Sequence, residues 1–243
     1  MPARRLLLLS NSTDPQGEFL RWAEDHLQAH LGTAGGELAF VPYAVVSASH
    51  DVVTARVSGA MARLGWRVRS VHDVDDPAAL IRESDAIAVS GGNTFQLLAS
   101  LYANALLDPI RERVAAGTPY VGWSAGSVVA CPTMRTTNDM PIVEPPSLGA
   151  LGLVAFQINA HYTDFHPPGF RGETRAERLA EFVALNPGVP VLGLPEGTMV
   201  RVRGTDARVL GTPTSASAVR VFGVPGMESV PIGEPLPFRA VRA

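Results

Sequence analysis

The chain has 243 residues, of which 46% are hydrophobic and 18% charged, with a formal net charge of −3. That balance is globular rather than disordered, long enough to bury a substantial core, and gives no electrostatic reason to expect nucleic acid or an acidic membrane surface as a partner. A single cysteine, Cys131, excludes an internal disulfide and suits a reducing cytoplasm, where it reads as a small buried apolar residue.

Apolar runs alternate with helical patterns from the start. Residues 5–10 read as a strand. Arg4 and Arg5 precede four leucines, but Ser10, Asn11, Ser12, Thr13 and Asp14 follow at once, so this is a strand entering a polar loop rather than a secretory signal. No stretch approaches the ~20 apolar residues of a membrane span. Residues 17–31 place Phe19, Leu20, Ala23, Leu27 and Leu31 on one helical face. Strands are expected at 38–42 and 67–71, with a helix at 51–64 between them. Asp76 and Pro77 open a short helix over 77–83. A strand at 86–90 ends at Gly91-Gly92, helices follow at 94–101 and 106–116, and residues 119–122 form a fifth strand.

This rhythm predicts an α/β fold, a mostly parallel sheet with helices on both faces, whose ligands sit beyond the carboxyl ends of the strands. After Cys131 the pattern changes. Residues 132–152 are rich in Pro, Thr and Asn and form a long connection of the kind that is often functional. A strand at 153–159, a helix at 173–185 and a strand at 190–194 follow, and short β-runs from 199 to about 238 suggest antiparallel strands near the C-terminus. No repeat or linker divides the chain, so one domain spanning 1–243 is expected.

The fifth strand runs into Gly122-Trp123-Ser124-Ala125-Gly126. This is the G-x-S-x-G pattern of a nucleophile elbow, a tight strand-to-helix turn that lifts one hydroxyl above the sheet. A serine needs a base, and the base needs an orienting acid. Of six histidines, His26 and His30 form an i, i+4 pair with no third metal ligand in sequence, and His50 and His72 read as solvated loop residues. His161 follows a strand directly and His166 lies in a D-F-H-P-P turn; position favours His161. Glu196, in G-L-P-E-G after the 190–194 strand, reads equally as the acid or as a loop cap, and Asp139 competes with it. Ala125, next after the serine, and Gly92 could donate backbone N–H groups to an oxyanion. Ser90-Gly91-Gly92 reads otherwise as a plain turn or a phosphate cradle.

Several segments together resemble peptidase E, the aspartyl dipeptidase family: L-L-L-L-S-N-S at 6–12, G-G-N-T-F-Q-L-L at 91–98, G-W-S-A-G at 122–126, C-P-T-M-R-T-T-N-D-M-P-I-V at 131–143, G-E-T-R at 172–175 and G-L-P-E-G at 193–197. The resemblance implies a flavodoxin-like fold related to class I glutamine amidotransferases and a Ser-His-Glu triad at Ser124, His161 and Glu196. It implies an essential Asp139 that either orients His161 or shapes the substrate site, and Arg175 to read the substrate side chain, with Asn93 nearby in the substrate site. The order Ser…His…acid differs from the Ser…acid…His of α/β-hydrolases. The substrates implied are dipeptides with an amino-terminal aspartate, with no cofactor, metal, nucleic acid or membrane, and a monomer or homodimer. Two other readings are a peptidase like those that degrade cyanophycin, acting on aspartyl–arginine units, and an inert small-ligand binding module. Where family members commonly carry a third glycine, this chain has Ser90.

Overall fold

Four consecutive leucines form the hub. In β1 (Arg5–Leu9) each of Leu6, Leu7, Leu8 and Leu9 is 0% exposed, which a strand allows only when both of its faces are covered. Alternation then divides them: Leu6 and Leu8 enter one apolar core, Leu7 and Leu9 the other. Full burial of a leucine stabilises by about 1.5–3 kcal/mol, so this strand anchors the fold from both sides.

A computed structural model describes residues 3–212, 218–223 and 226–241. After β1 come α1 (Glu24–Leu31), β2 (Gly36–Val41), α2 (His50–Ala62), β3 (Trp66–Ser70), α3 (Pro77–Glu83), β4 (Ala86–Val89), α4 (Thr94–Ala103), α5 (Leu107–Ala115), β5 (Tyr120–Trp123) and the single turn α6 (Ala125–Val128). Beyond the long connection lie β6 (Gln157–Ala160), α7 (Arg175–Leu185), β7 (Val191–Leu194), β8 (Thr198–Arg203), β9 (Asp206–Gly211), β10 (Ala218–Phe222) and β11 (Met227–Pro231). No helix among the described residues is long and apolar enough to cross a membrane.

The large sheet has the order β3-β2-β4-β5-β1-β8-β9. Its first five strands are parallel, and β8 and β9 add an antiparallel edge. The expected α/β class is therefore present, with its antiparallel strands late in the chain. Two details differ from the sequence reading. Four of the strands after the long connection form a second sheet, β11-β10-β7-β6, in which β6 and β7 run parallel, while β8 and β9 return to the large one. And α1 begins at Glu24, not 17, because Thr13 bridges Phe19 and Leu20 turns left-handed at φ 55°, so their apolar side chains pack from a turn. Of the expected antiparallel run, residues 213–217 and 224–225 lie outside the described residues.

Candidate active site

The elbow is as tight as its glycines imply. A Cβ on Gly122 would lie 2.5 Å from the Gly126 carbonyl oxygen, and one on Gly126 would lie 2.2 Å from that of Val89 in β4. Between them Ser124 takes φ 50°, ψ −114°, a conformation that a serine does not choose for itself. Its neighbours impose it. The Ser124 N–H donates to Leu9 O at 3.0 Å, and the buried Ser127 hydroxyl bridges Leu9 O at 2.7 Å and Gly122 O at 2.9 Å. The Tyr120 hydroxyl donates to Gly126 O at 2.7 Å, closing the turn from behind. The Ser124 side chain is left half-buried at the carboxyl end of β5.

From the second sheet, β6 and β7 deliver His161 and Glu196 to the same point. His161 Nε2 lies 3.0 Å from Ser124 Oγ, and Nδ1 lies 2.8 Å from Glu196 Oε1. With Glu196 ionised, Nδ1 carries the proton, so Nε2 accepts from the serine hydroxyl. His161 is itself left-handed, at φ 53°. Its N–H donates to Ser10 Oγ at 2.9 Å, while Ser10 donates to Leu194 O at 2.7 Å. One residue further on, Asn11 Oδ1 accepts from the Gly197 N–H at 2.8 Å. Ser10 and Asn11 thus clasp the second sheet to the end of β1, a role not assigned from sequence. The signal was there: two polar residues directly after a fully buried apolar strand.

At Gly92, φ is 141° and a Cβ would lie 2.2 Å from Ala44 O, so only glycine fits. Among the described residues neither the Gly92 nor the Ala125 N–H has an acceptor within the protein. Gly91 lies closer to the serine, since a Cβ there would approach Ser124 Cβ to 3.0 Å. Asp139 does not bond to His161. Its Oδ2 accepts from the Thr94 N–H at 2.7 Å, from Thr94 Oγ1 at 2.5 Å and from Thr137 Oγ1 at 3.0 Å. Asn93 caps α4 through Gln96 N–H at 3.0 Å and donates to Met140 O at 2.8 Å. Both ends of its amide are engaged with the protein. Asn138 joins the long connection to β6, donating to Ala160 O at 2.7 Å and accepting from Asn159 at 2.7 Å.

Arg175 opens α7, where Thr174 and Glu177 form a reciprocal capping box. Its Nη1 donates to the His161 carbonyl at 3.2 Å, and among the described residues it pairs with no carboxylate. Burial, and then the Arg178 charge, pull its pKa below the usual arginine range, with Tyr162 acting the other way. His166 stacks on Phe170 at 5.2 Å and takes no part in the serine's hydrogen bonds.

A second string of the same residue types shows what the first requires. Ser70 Oγ lies 2.6 Å from His72 Nδ1, and His72 Nε2 lies 2.9 Å from Asp51 Oδ1. His72 is therefore engaged rather than free in solvent. But Ser70 is 5% exposed and shared with Phe40 O, so its oxygen cannot reach a substrate. Of the two strings, among the described residues, the one at Ser124 alone combines a partly accessible hydroxyl with unbonded amides nearby and an arginine that pairs with no carboxylate.

The description "Peptidase family S51" belongs to the family model that matches residues 6–210. A peptidase E of Streptomyces coelicolor is 53% identical over 216 residues, covering 88% of this chain and 87% of that protein. A peptidase E of a Nostoc species is 45% identical over 212 residues, covering 87% and 88%. Among solved structures, a peptidase from an acI-B1 Actinobacterium overlays 98% of both chains with a TM-score of 0.71 at 18% identity. A putative peptidase E protein from Listeria monocytogenes covers 86% of this chain and 98% of its own with a TM-score of 0.64 at 21% identity. At those identities the two structures speak for the fold.

Proposed function

The chain belongs to peptidase family S51 and is a serine-type dipeptidase, and we propose that it cleaves dipeptides after an amino-terminal aspartate through a triad of Ser124, His161 and Glu196. The observation that carries the triad is the unbroken hydrogen-bonded path from Ser124 Oγ through His161 to Glu196, at 3.0 and 2.8 Å. In this scheme His161 Nε2 takes the serine proton as Oγ attacks the aspartyl carbonyl. The Gly92 and Ala125 N–H groups receive the oxyanion. Glu196 holds the Nδ1–H tautomer and steadies the imidazolium, and His161 then protonates the departing amine. Water, activated in the same way, releases aspartate from the acyl-enzyme.

Arg175 supplies the specificity. A partly buried guanidinium without a counter-charge favours a carboxylate at its side, and arginine offers a two-pronged match that lysine does not. Its bond to the His161 carbonyl ties the substrate's β-carboxylate to the element that carries the base. For Asp139 we infer a shaping role. Two of its three bonds hold the start of α4, and with it the loop bearing Gly92, against the long connection, and the third, from Thr137, steadies the carboxylate within that connection.

The test is a peptide panel. Asp-Leu should exceed Ala-Leu and Asn-Leu in kcat/KM by roughly 10²-fold or more, and Arg175→Leu should erase that preference while Ser124 still reacts with a serine-directed phosphonate. Equal turnover of Ala-Leu by the unaltered enzyme would sink the aspartate assignment. Faster turnover of a β-linked Asp-Arg dipeptide would replace it with the cyanophycin-type reading.

A further inference from the structure

The far end of the large sheet holds a second concentration of charge. In β1, β8 and β9 the register sets Arg5 opposite Arg203 and Arg201 opposite Arg208. Leu7 faces Arg201, so both pairs share one face of the sheet. Like charges directly opposite one another destabilise a sheet, and here two such pairs lie side by side. Asp206 faces Arg203 in register, yet among the described residues none of Arg201, Arg203 and Arg208 forms an ion pair. The charges are felt inward as well. Burial, and then Arg203 and Arg208, hold Arg201 below the usual arginine range, and Arg5, Arg203 and Arg201 all act on the buried His30. A protein of net charge −3 has thus gathered cations on one face with almost no acid to balance them.

A surface cavity of about 600 Å³ is lined by Arg201, Arg203 and Arg208 of this row and by Arg239, with Asp206 as the only acid among the described residues that line it. Pro237 and Phe238 supply an apolar wall. We propose that this cavity is a binding site for a nucleoside di- or triphosphate, separate from the peptidase site. Guanidinium forks match phosphate oxygens in pairs. One phosphate would occupy a small part of the space and leave guanidiniums unmatched, whereas a chain of two or three spans the row. The wall of Pro237 and Phe238 then receives the flat, less polar base. Arg5 stands at the start of β1 and Ser10 just past its end, a separation of about 16 Å along the strand at ~3.3 Å per residue. Occupation would relieve the repulsion between β1, β8 and β9 without touching the serine.

Thermal melting and calorimetric titration of the full chain at low salt test this, with adenosine triphosphate, inorganic tripolyphosphate, orthophosphate and a short RNA as probes. The nucleotide should raise Tm by several degrees and bind at least tenfold more tightly than tripolyphosphate, with affinity falling as salt rises. The double variant Arg203→Gln, Arg208→Gln should lose that shift, melt above the unaltered protein when no anion is present, and hydrolyse dipeptides at the unaltered rate. Failure to bind nucleotide, or equal binding by the double variant, overturns the proposal. Equal affinity for tripolyphosphate or orthophosphate overturns the nucleoside assignment, and tighter binding of RNA makes the face a polyanion surface instead. None of these outcomes bears on the peptidase reading, which the dipeptide assay reports separately.

Discussion

Ser124 is held at φ 50° by the hydrogen bonds that close its turn, and the tightness of that turn is measurable at Gly126. A methyl group there would sit 2.2 Å from a β4 carbonyl that cannot move without breaking the sheet. Gly126→Ala should therefore destabilise by about 3 kcal/mol, at the upper end of ordinary overpacking, read as a lower urea midpoint, and should abolish turnover even where the protein still folds. A neutral effect would mean that the elbow is looser than described. Glu196 invites the opposite expectation. Its side chain is 63% exposed, so solvent screens the charge it offers the imidazolium. Glu196→Gln should lower kcat on the order of 10²-fold, well short of the ~10⁴-fold loss when a buried triad carboxylate is replaced. The places of Ser124 and His161 at strand ends were legible in sequence because each follows an apolar run, whereas Glu196 read equally as a loop cap and was singled out only by the family resemblance. Asn93 was less legible: an Asn before a helix is a cap by default, and its amide is engaged in capping α4 and holding Met140.

At the scale of elements, the junction of the two sheets decides whether the serine meets its base. Ser10 is the hinge of that junction, accepting from His161 N–H and donating to Leu194 O. Ser10→Ala removes both bonds from a residue that is 0% exposed and should cost about 2 kcal/mol in denaturant melts. It should also lower kcat roughly tenfold with KM little changed, since about 1.4 kcal/mol of misplaced base is one decade in rate. Unaltered kcat with lowered stability would reduce Ser10 to a structural role. The parallel sheet was readable from its alternation of strand and helix. Its division in two was not, because a buried strand such as β6 has the same apolar signature whichever sheet it joins. The extent of α1 was misjudged for a related reason: Phe19 and Leu20 fall on the helical period while packing from a turn.

Across the whole molecule, charge is unevenly placed, and His30 registers it. Burial first and the Arg5 charge next hold its pKa down to about 3, and the Tyr120 backbone offsets only part of that. An unfolded histidine titrates near 6.5. Between those values the unfolded chain binds more protons than the folded one, so stability is fully present above pH 6.5 and falls as the pH drops toward 3. The slope contributed is about 1.4 kcal/mol per pH unit. Half of the unfolded histidine is already protonated at pH 6.5, so urea melts of the unaltered protein should lose about 1 kcal/mol more than those of His30→Leu between pH 6.5 and 5.5, and parallel losses would show that His30 does not drive the acid sensitivity. None of this was legible in sequence, where His30 is one half of an i, i+4 pair and the arginines lie almost 200 residues apart.

The decisive measurement is covalent labelling with a fluorophosphonate, followed by intact mass and mapping of the modified peptide. Activity on Asp-Leu should fall in step with a single adduct on Ser124, and His161→Ala should take up reagent at least 10²-fold more slowly. Full activity in protein that carries the adduct, or inactivation with Ser124 unmodified, would contradict the assignment of Ser124 as the nucleophile.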